Sequence, residues 1–72
     1  MTLTDYLNQW KDNERASLIR SIATYLKVTE GAVRHWSNGT RKISPRHVIS
    51  LEKFLKGKVS RYELRPDIYQ EN

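Results

Sequence analysis

An all-α fold, a compact bundle of about five short helices, is what the 72-residue sequence predicts. Three observations carry that reading. Apolar residues recur at i, i+3, i+4 and i+7 in successive segments, the spacing of one helical face. Start and stop signals (Thr-x-x-Asp, Asn-Gly, Ser-Pro, Ser-x-x-Glu) separate those segments. No alternating apolar run finds a partner that would make a strand pair, and no cysteine is present to staple a loop-rich scaffold. The chain is read as one domain, residues 1–72; a hydrophobic fraction of 38% suits short helices and is too small for layered sheets.

The elements follow in order. Leu3, Tyr6, Leu7 and Trp10 make the apolar face of a first helix, with Thr2 and Asp5 as a capping pair. Lys11-Asp12-Asn13-Glu14 breaks it, and Asp12 or Asn13 can cap a second helix whose face is Ile19, Ile22, Ala23 and Leu26. Thr29 caps a third helix, which Asn38-Gly39 ends because that pair favours left-handed backbone. Gly39 to Ile43 is a short basic connector. Ser44-Pro45 then opens a fourth helix, a capping hydroxyl followed by proline at the first helical position. Val48, Leu51, Phe54 and Leu55 form its inner face and Gly57 stops it. Ser60 with Glu63 reads as a capping box for one more turn, which ends at Arg65-Pro66 because a residue before proline avoids helical geometry.

Charge narrows the function. The net +5 is uneven. From Lys27 to Arg61 nine cations stand against Glu30 and Glu52, a net +7, while the remaining residues carry four cations and six acids, a net −2. A basic central half with near-neutral ends is the footprint of a nucleic-acid surface. His35 and His47 fall in different elements with no carboxylate or thiolate at ligand spacing, so no metal site is expected. Neither histidine has a nucleophile or oxyanion device beside it, so no enzyme is expected, and no cofactor. The chain lacks the ~18 consecutive apolar residues of a membrane span and begins without signal-peptide character, which points to the cytoplasm.

The third helix carries the sharpest pattern. At roughly 100° per residue, Ala32, Val33 and Trp36 share one side. Gly31, Arg34 and Asn38 sit opposite, flanked by Glu30 and His35. A guanidinium matches guanine, a carboxamide adenine, and a carboxylate accepts from cytosine, so Glu30, Gly31, Arg34, His35 and Asn38 are candidate base contacts. The start of that helix, with free N–H groups and a partial positive charge, suits a phosphate; Lys27 and Thr29 lie there. Arg41, Lys42 and Arg46 follow the helix and complete the candidate phosphate contacts.

Ile22-Ala23, Leu26-Lys27-Val28, Val33 and Trp36 form the apolar skeleton of a helix-turn-helix, from about Ile19 to Asn38. That skeleton resembles the helix-turn-helix of Cro-type phage repressors, and within them the YdaS-like group of prophage Cro homologues and antitoxins. "GAVRHWSNGTRKIS" is similar to the "xAVxxWxxGxRxIP" run of that group, and "SRYELRPDIY" to its "REELRPD" tail signature, here in the tail 59–72. The resemblance implies a lambda-repressor-like DNA-binding domain in a bacterial cell, held at the nucleoid by its DNA. A Cro-type repressor would act by occupying a palindromic operator, with dimerisation in solution or only on DNA. The alternative it implies is an antitoxin or interaction module of a toxin–antitoxin pair, with a toxin as partner and its own promoter as DNA target. One position departs from the usual pattern. The turn residue that commonly is glycine is Lys27, so either a lysine takes the left-handed conformation or the turn differs. For the tail, core closure by Leu64, Ile68 and a tyrosine stands beside a dimer contact.

Overall fold

Five helices follow one another in the computed structural model, which describes residues 1–70: α1 (Leu3–Leu7), α2 (Asp12–Leu26), α3 (Glu30–Ser37), α4 (Pro45–Phe54) and α5 (Arg61–Leu64). Among the described residues there is no strand. The long α2 packs on both α3 and α4, α1 lies against α3, and α5 closes on α4. Residues 71–72 of the tail lie outside the described residues.

Each helix owes its limits to local chemistry. The Thr2 hydroxyl accepts the Asp5 N–H at 3.1 Å while the Asp5 carboxylate accepts the Thr2 N–H, so α1 opens on a capping box. It is shorter than its apolar spacing suggests. Trp10 lies in the bend after Leu7 and packs its ring on Tyr6, with centroids 4.8 Å apart, instead of extending the helical face. The start of α2 also differs from expectation. Lys11 occupies the cap position with no side-chain bond, and both Asp12 and Asn13 are inside the first turn. Asp12 is still useful there, since a carboxylate in the first turn complements the positive end of the helix.

The α2 to α3 turn settles how Lys27 is accommodated. Its backbone is left-handed, with φ 59° and ψ 44°. Lys27 N–H donates to the Thr24 carbonyl and Val28 N–H to the Ala23 carbonyl at 2.9 Å, the paired bonds that close a helix through a left-handed residue. Lys56 does the same after α4, with φ 54°, and Gly57 N–H reaches back to Glu52 O at 3.0 Å. Thr29 caps α3 as expected, accepting the Ala32 N–H at 3.1 Å. Ser44 stands at the cap position of α4 and Pro45 at its first turn, yet the Ser44 hydroxyl makes no capping bond; only its carbonyl is used, by His47 N–H.

The core unites all five helices. Leu7, Ile22, Val33, Val48, Leu51 and Leu55 are almost wholly withdrawn from water, each worth roughly 1.5–3 kcal/mol of burial. Two further members, Ile43 and Val59, sit outside the helices, where helical spacing gives no signal for them. Ile43 anchors the basic connector; Val59 anchors the turn into α5. Phe54 is half-buried, its ring 5.1 Å from that of exposed Tyr25, so it borders the core without entering it. In the tail Leu64 is buried and Tyr69 packs on the core, but Ile68 is 45% exposed and takes no part in closing it.

Candidate nucleic-acid interface

Residues on α3 divide as an amphipathic helix demands. Val33 is fully buried against the core. Trp36 is half-buried and packed against the core, and its ring centroid lies 5.9 Å from that of His47. Gly31, Arg34 and Asn38 are exposed on the other side. A methyl built on Gly31 would meet nothing nearer than Thr29 Oγ1 at 3.8 Å, so no internal packing calls for glycine there. Its bareness leaves the start of α3 open to close approach from outside.

The polar groups of this face are not equally free. Glu30 is half-buried and lies between two guanidiniums, with Arg34 at 3.8 Å and Arg20 at 3.6 Å. Those are long, solvent-exposed pairs, worth little and easily exchanged. Arg34 therefore remains available to a stronger acceptor. Asn38 uses its carboxamide oxygen to accept the Thr40 N–H at 2.9 Å, which shapes the turn out of the helix and leaves the amide NH2 outward. His35 is half-buried with Nδ1 enclosed and without a hydrogen-bond partner, so it has Nε2 to offer and not both nitrogens. The arrangement brings Arg34, Gly31 and Asn38 together as expected and ties down Glu30 and His35 in part.

Beside this face runs a groove of about 330 Å³ with an apolar floor of Leu7 and Ile19 and a rim of Asn8, Arg15, Arg34 and Asn38. Arg15 is held there by Asn8 Oδ1 at 2.8 Å and Asp12 Oδ1 at 2.9 Å. Sequence spacing does not single out Arg15, because it joins the rim only when α1 and α2 fold onto α3. The Thr4 hydroxyl donates to the Ser37 carbonyl, locking α1 to the end of α3.

The candidate phosphate contacts surround the helix. Lys27 and Thr29 are exposed at its start, and Arg41, Lys42 and Arg46 are exposed after its end. Arg46 sits in the first turn of α4, which carries no acid. A cation there adds to the positive potential of the helix start instead of offsetting it. The connector is tied to the tail. Arg65 donates to the Ile43 carbonyl and grips Asp67 through two bonds of 2.8 and 2.7 Å, while Lys42 Nζ reaches the same carboxylate at 3.3 Å. The Arg65 hydrogen bonds hold the Asp67 carboxyl well below the usual carboxylate range. Between α5 and α4, Arg61 grips Glu52 through its side chain and its backbone N–H, lowering that carboxyl as well.

A family model described as bacterial toxin YdaS matches residues 19–72, from the middle of α2 through the tail. The chain belongs to that family. The match leaves out α1 and the "LTDYL" that forms it, and covers the turn, α3, the connector and the "ELRPD" tail. A comparison with curated proteins yields no match. In this YdaS family member the tail motif serves the fold, since its arginine and aspartate fasten the connector that follows α3. The family description names a toxin, whereas the sequence resemblance suggests an antitoxin. No helix among the described residues is long and apolar enough to cross a membrane.

Proposed function

We propose that the chain is a sequence-specific regulator of Cro type that binds duplex DNA, laying the outer face of α3 in the major groove and repressing by occupancy. One observation supports this above others: the bare, polar face of α3 is bracketed at both ends by exposed cations. Arg34 would read a guanine bidentately, with Asn38 and Glu30 beside it and Gly31 allowing close approach. His35 would add a single nitrogen. Lys27, Thr29, Arg41 and Arg46 would hold phosphates, which sets register without reading sequence, and Lys42 would join them only where it leaves Asp67. Arg15, on the groove rim next to Arg34, adds a cation where the flanking strand would pass. A single short helix touches few bases, so two copies on a palindrome are expected.

The test is selection from a randomised duplex pool, with the wild type, Arg34→Ala and Arg41→Ala. Arg34→Ala should flatten preference at one position of each half-site, a loss of roughly 1–3 kcal/mol of discrimination. Arg41→Ala should weaken all sequences alike and reduce the salt slope by about one. If Arg41→Ala changes the selected motif and Arg34→Ala does not, the reading face is the connector and not α3.

A second reading rests on the family's description as a toxin. In it the chain arrests bacterial growth when produced without a partner, or serves a toxin–antitoxin pair. Induced expression distinguishes the two: arrest that survives Arg34→Ala together with Arg41→Ala would not run through DNA. Recovery of a bound small protein from cells would favour the interaction module.

A further inference from the structure

Among the described residues, Lys42 is the one candidate phosphate contact held by an acid, and that acid comes from the tail. Lys42 Nζ lies 3.3 Å from Asp67 Oδ2, and the same carboxylate takes two hydrogen bonds from Arg65. Arg65 is itself anchored, 12% exposed, by donating to the carbonyl of Ile43, the residue after Lys42. Ile43 is a core residue. A carboxylate is thus held rigidly at the connector, at the place where a phosphate oxygen would otherwise meet Lys42. Arg41, one residue earlier, is exposed and makes no ion pair among the described residues.

We propose that Asp67 is an internal stand-in for a DNA phosphate: clamped by Arg65, it competes for Lys42 and keeps this lysine from contributing fully to DNA binding. The proposal rests on the DNA-binding reading above. Asp67 and Arg65 are then positioning residues. Arg65 fixes the connector from which Arg41 projects, and Asp67 sets how much of the connector's charge DNA can use. The clamp limits non-specific affinity, because phosphate contacts strengthen binding to every sequence equally. Base readout by α3 is left to decide among sites.

A double-mutant cycle tests it, with duplex affinity followed by fluorescence anisotropy from low to physiological salt for wild type, Asp67→Asn, Lys42→Gln and the double variant. Asp67→Asn should tighten binding about two- to fivefold, the range of one exposed ion pair. It should also steepen the slope of log K against log salt by about 0.9, one added phosphate contact. In the Lys42→Gln background the same substitution should have no effect on either quantity. Equal tightening in both backgrounds would mean only that a negative charge was removed, and would overturn the proposal. So would unchanged or weakened binding by folded Asp67→Asn. Should Asp67→Asn fail to fold, Lys42→Gln alone decides, since it leaves the Arg65–Asp67 clamp whole. The competition predicts less than a twofold loss and a slope nearly unchanged; loss of a full unit of slope overturns it. Wild type that does not bind duplex, or binds independently of salt, would overturn the DNA-binding reading itself and this proposal with it.

Discussion

Replacing Lys27 by glycine should stabilise the protein and, on the DNA-binding reading, weaken duplex binding. Lys27 is left-handed, φ 59° and ψ 44°, at the turn between α2 and α3. A side chain there crowds its Cβ against backbone, at a cost of roughly 1–2 kcal/mol relative to glycine. Glycine gives some of that back, because the unfolded chain gains freedom worth about 0.4–1 kcal/mol. The Lys27 side chain is exposed and makes no ion pair among the described residues, so its removal forfeits little packing. The net expectation is a gain of about 0.5–1 kcal/mol, or roughly 2–8 °C in Tm for a domain of this size.

Alanine supplies the control, since it keeps the Cβ and therefore the strain. Thermal and urea unfolding of Lys27→Gly, Lys27→Asn and Lys27→Ala should rank them in that order, with alanine no better than lysine. On DNA the three should lose equally, because all lack the ammonium, each with a salt slope shallower by about 0.9. The reasoning is refuted if alanine stabilises as much as glycine, since the gain would then come from losing the charge. It is also refuted if glycine destabilises, since the left-handed turn would not be the conformation Lys27 adopts.

Gly31→Ala should raise stability by about 0.4–1 kcal/mol, because alanine loses less backbone freedom on folding into the first turn of α3 and its methyl meets only Thr29 Oγ1 at 3.8 Å. The same methyl should weaken duplex binding; unchanged affinity would place Gly31 away from the DNA. Leu51→Ala should cost roughly 2–5 kcal/mol, and Trp36→Ala about 3 kcal/mol, the low end for an aromatic truncation because Trp36 is only half-buried. Denaturant midpoints check both. Acid should destabilise the fold through Glu52 and Asp67, whose carboxyls are held below their ordinary values of 4.5 and 3.8 by Arg61 and Arg65. Such groups stabilise fully above their unfolded pKa and lose that contribution as pH falls through the folded one. Tm should therefore fall as pH drops below about 5, and Glu52→Gln with Asp67→Asn should flatten that decline.

What can be read from the sequence is what depends on near neighbours. The buried faces of α2, α3 and α4 follow from apolar spacing over a few turns, and Ile22, Val33 and Leu51 are buried as that spacing requires. Capping boxes at Thr2 and Ser60 are three-residue patterns and form as their spacing predicts. Errors arise where one dihedral decides. Asp12 and Ser44 have capping side chains, but Lys11 takes the cap position of α2 and the Ser44 hydroxyl makes no bond. The connector and tail are least legible, because their bonds join residues far apart in the chain. Arg65 to Ile43 spans 22 positions and Lys42 to Asp67 spans 25, and no local pattern announces either.

Those distant bonds change what the charge count means. Nine cations between Lys27 and Arg61 look interchangeable in the sequence, but the fold sorts them. Arg34 is lightly held by Glu30, Lys42 is held by the clamped Asp67, and Arg61 is engaged by Glu52 through bonds of 2.9 and 3.2 Å. Lys27, Arg41 and Arg46 stand near the ends of α3 without an ion pair among the described residues. On the DNA-binding reading, three such contacts would give a salt slope of about −3 for each bound chain, far shallower than a net +7 segment suggests. Arg34, whose partner is distant and solvent-exposed, can leave Glu30 for a base at little cost. On the DNA-binding reading, the surface around α3 thus separates a group free to read from a group held in reserve. A measured slope of about −5 for each chain would show that Lys42, Lys53 and Lys56 also meet phosphates, and that the fold sorts its cations differently.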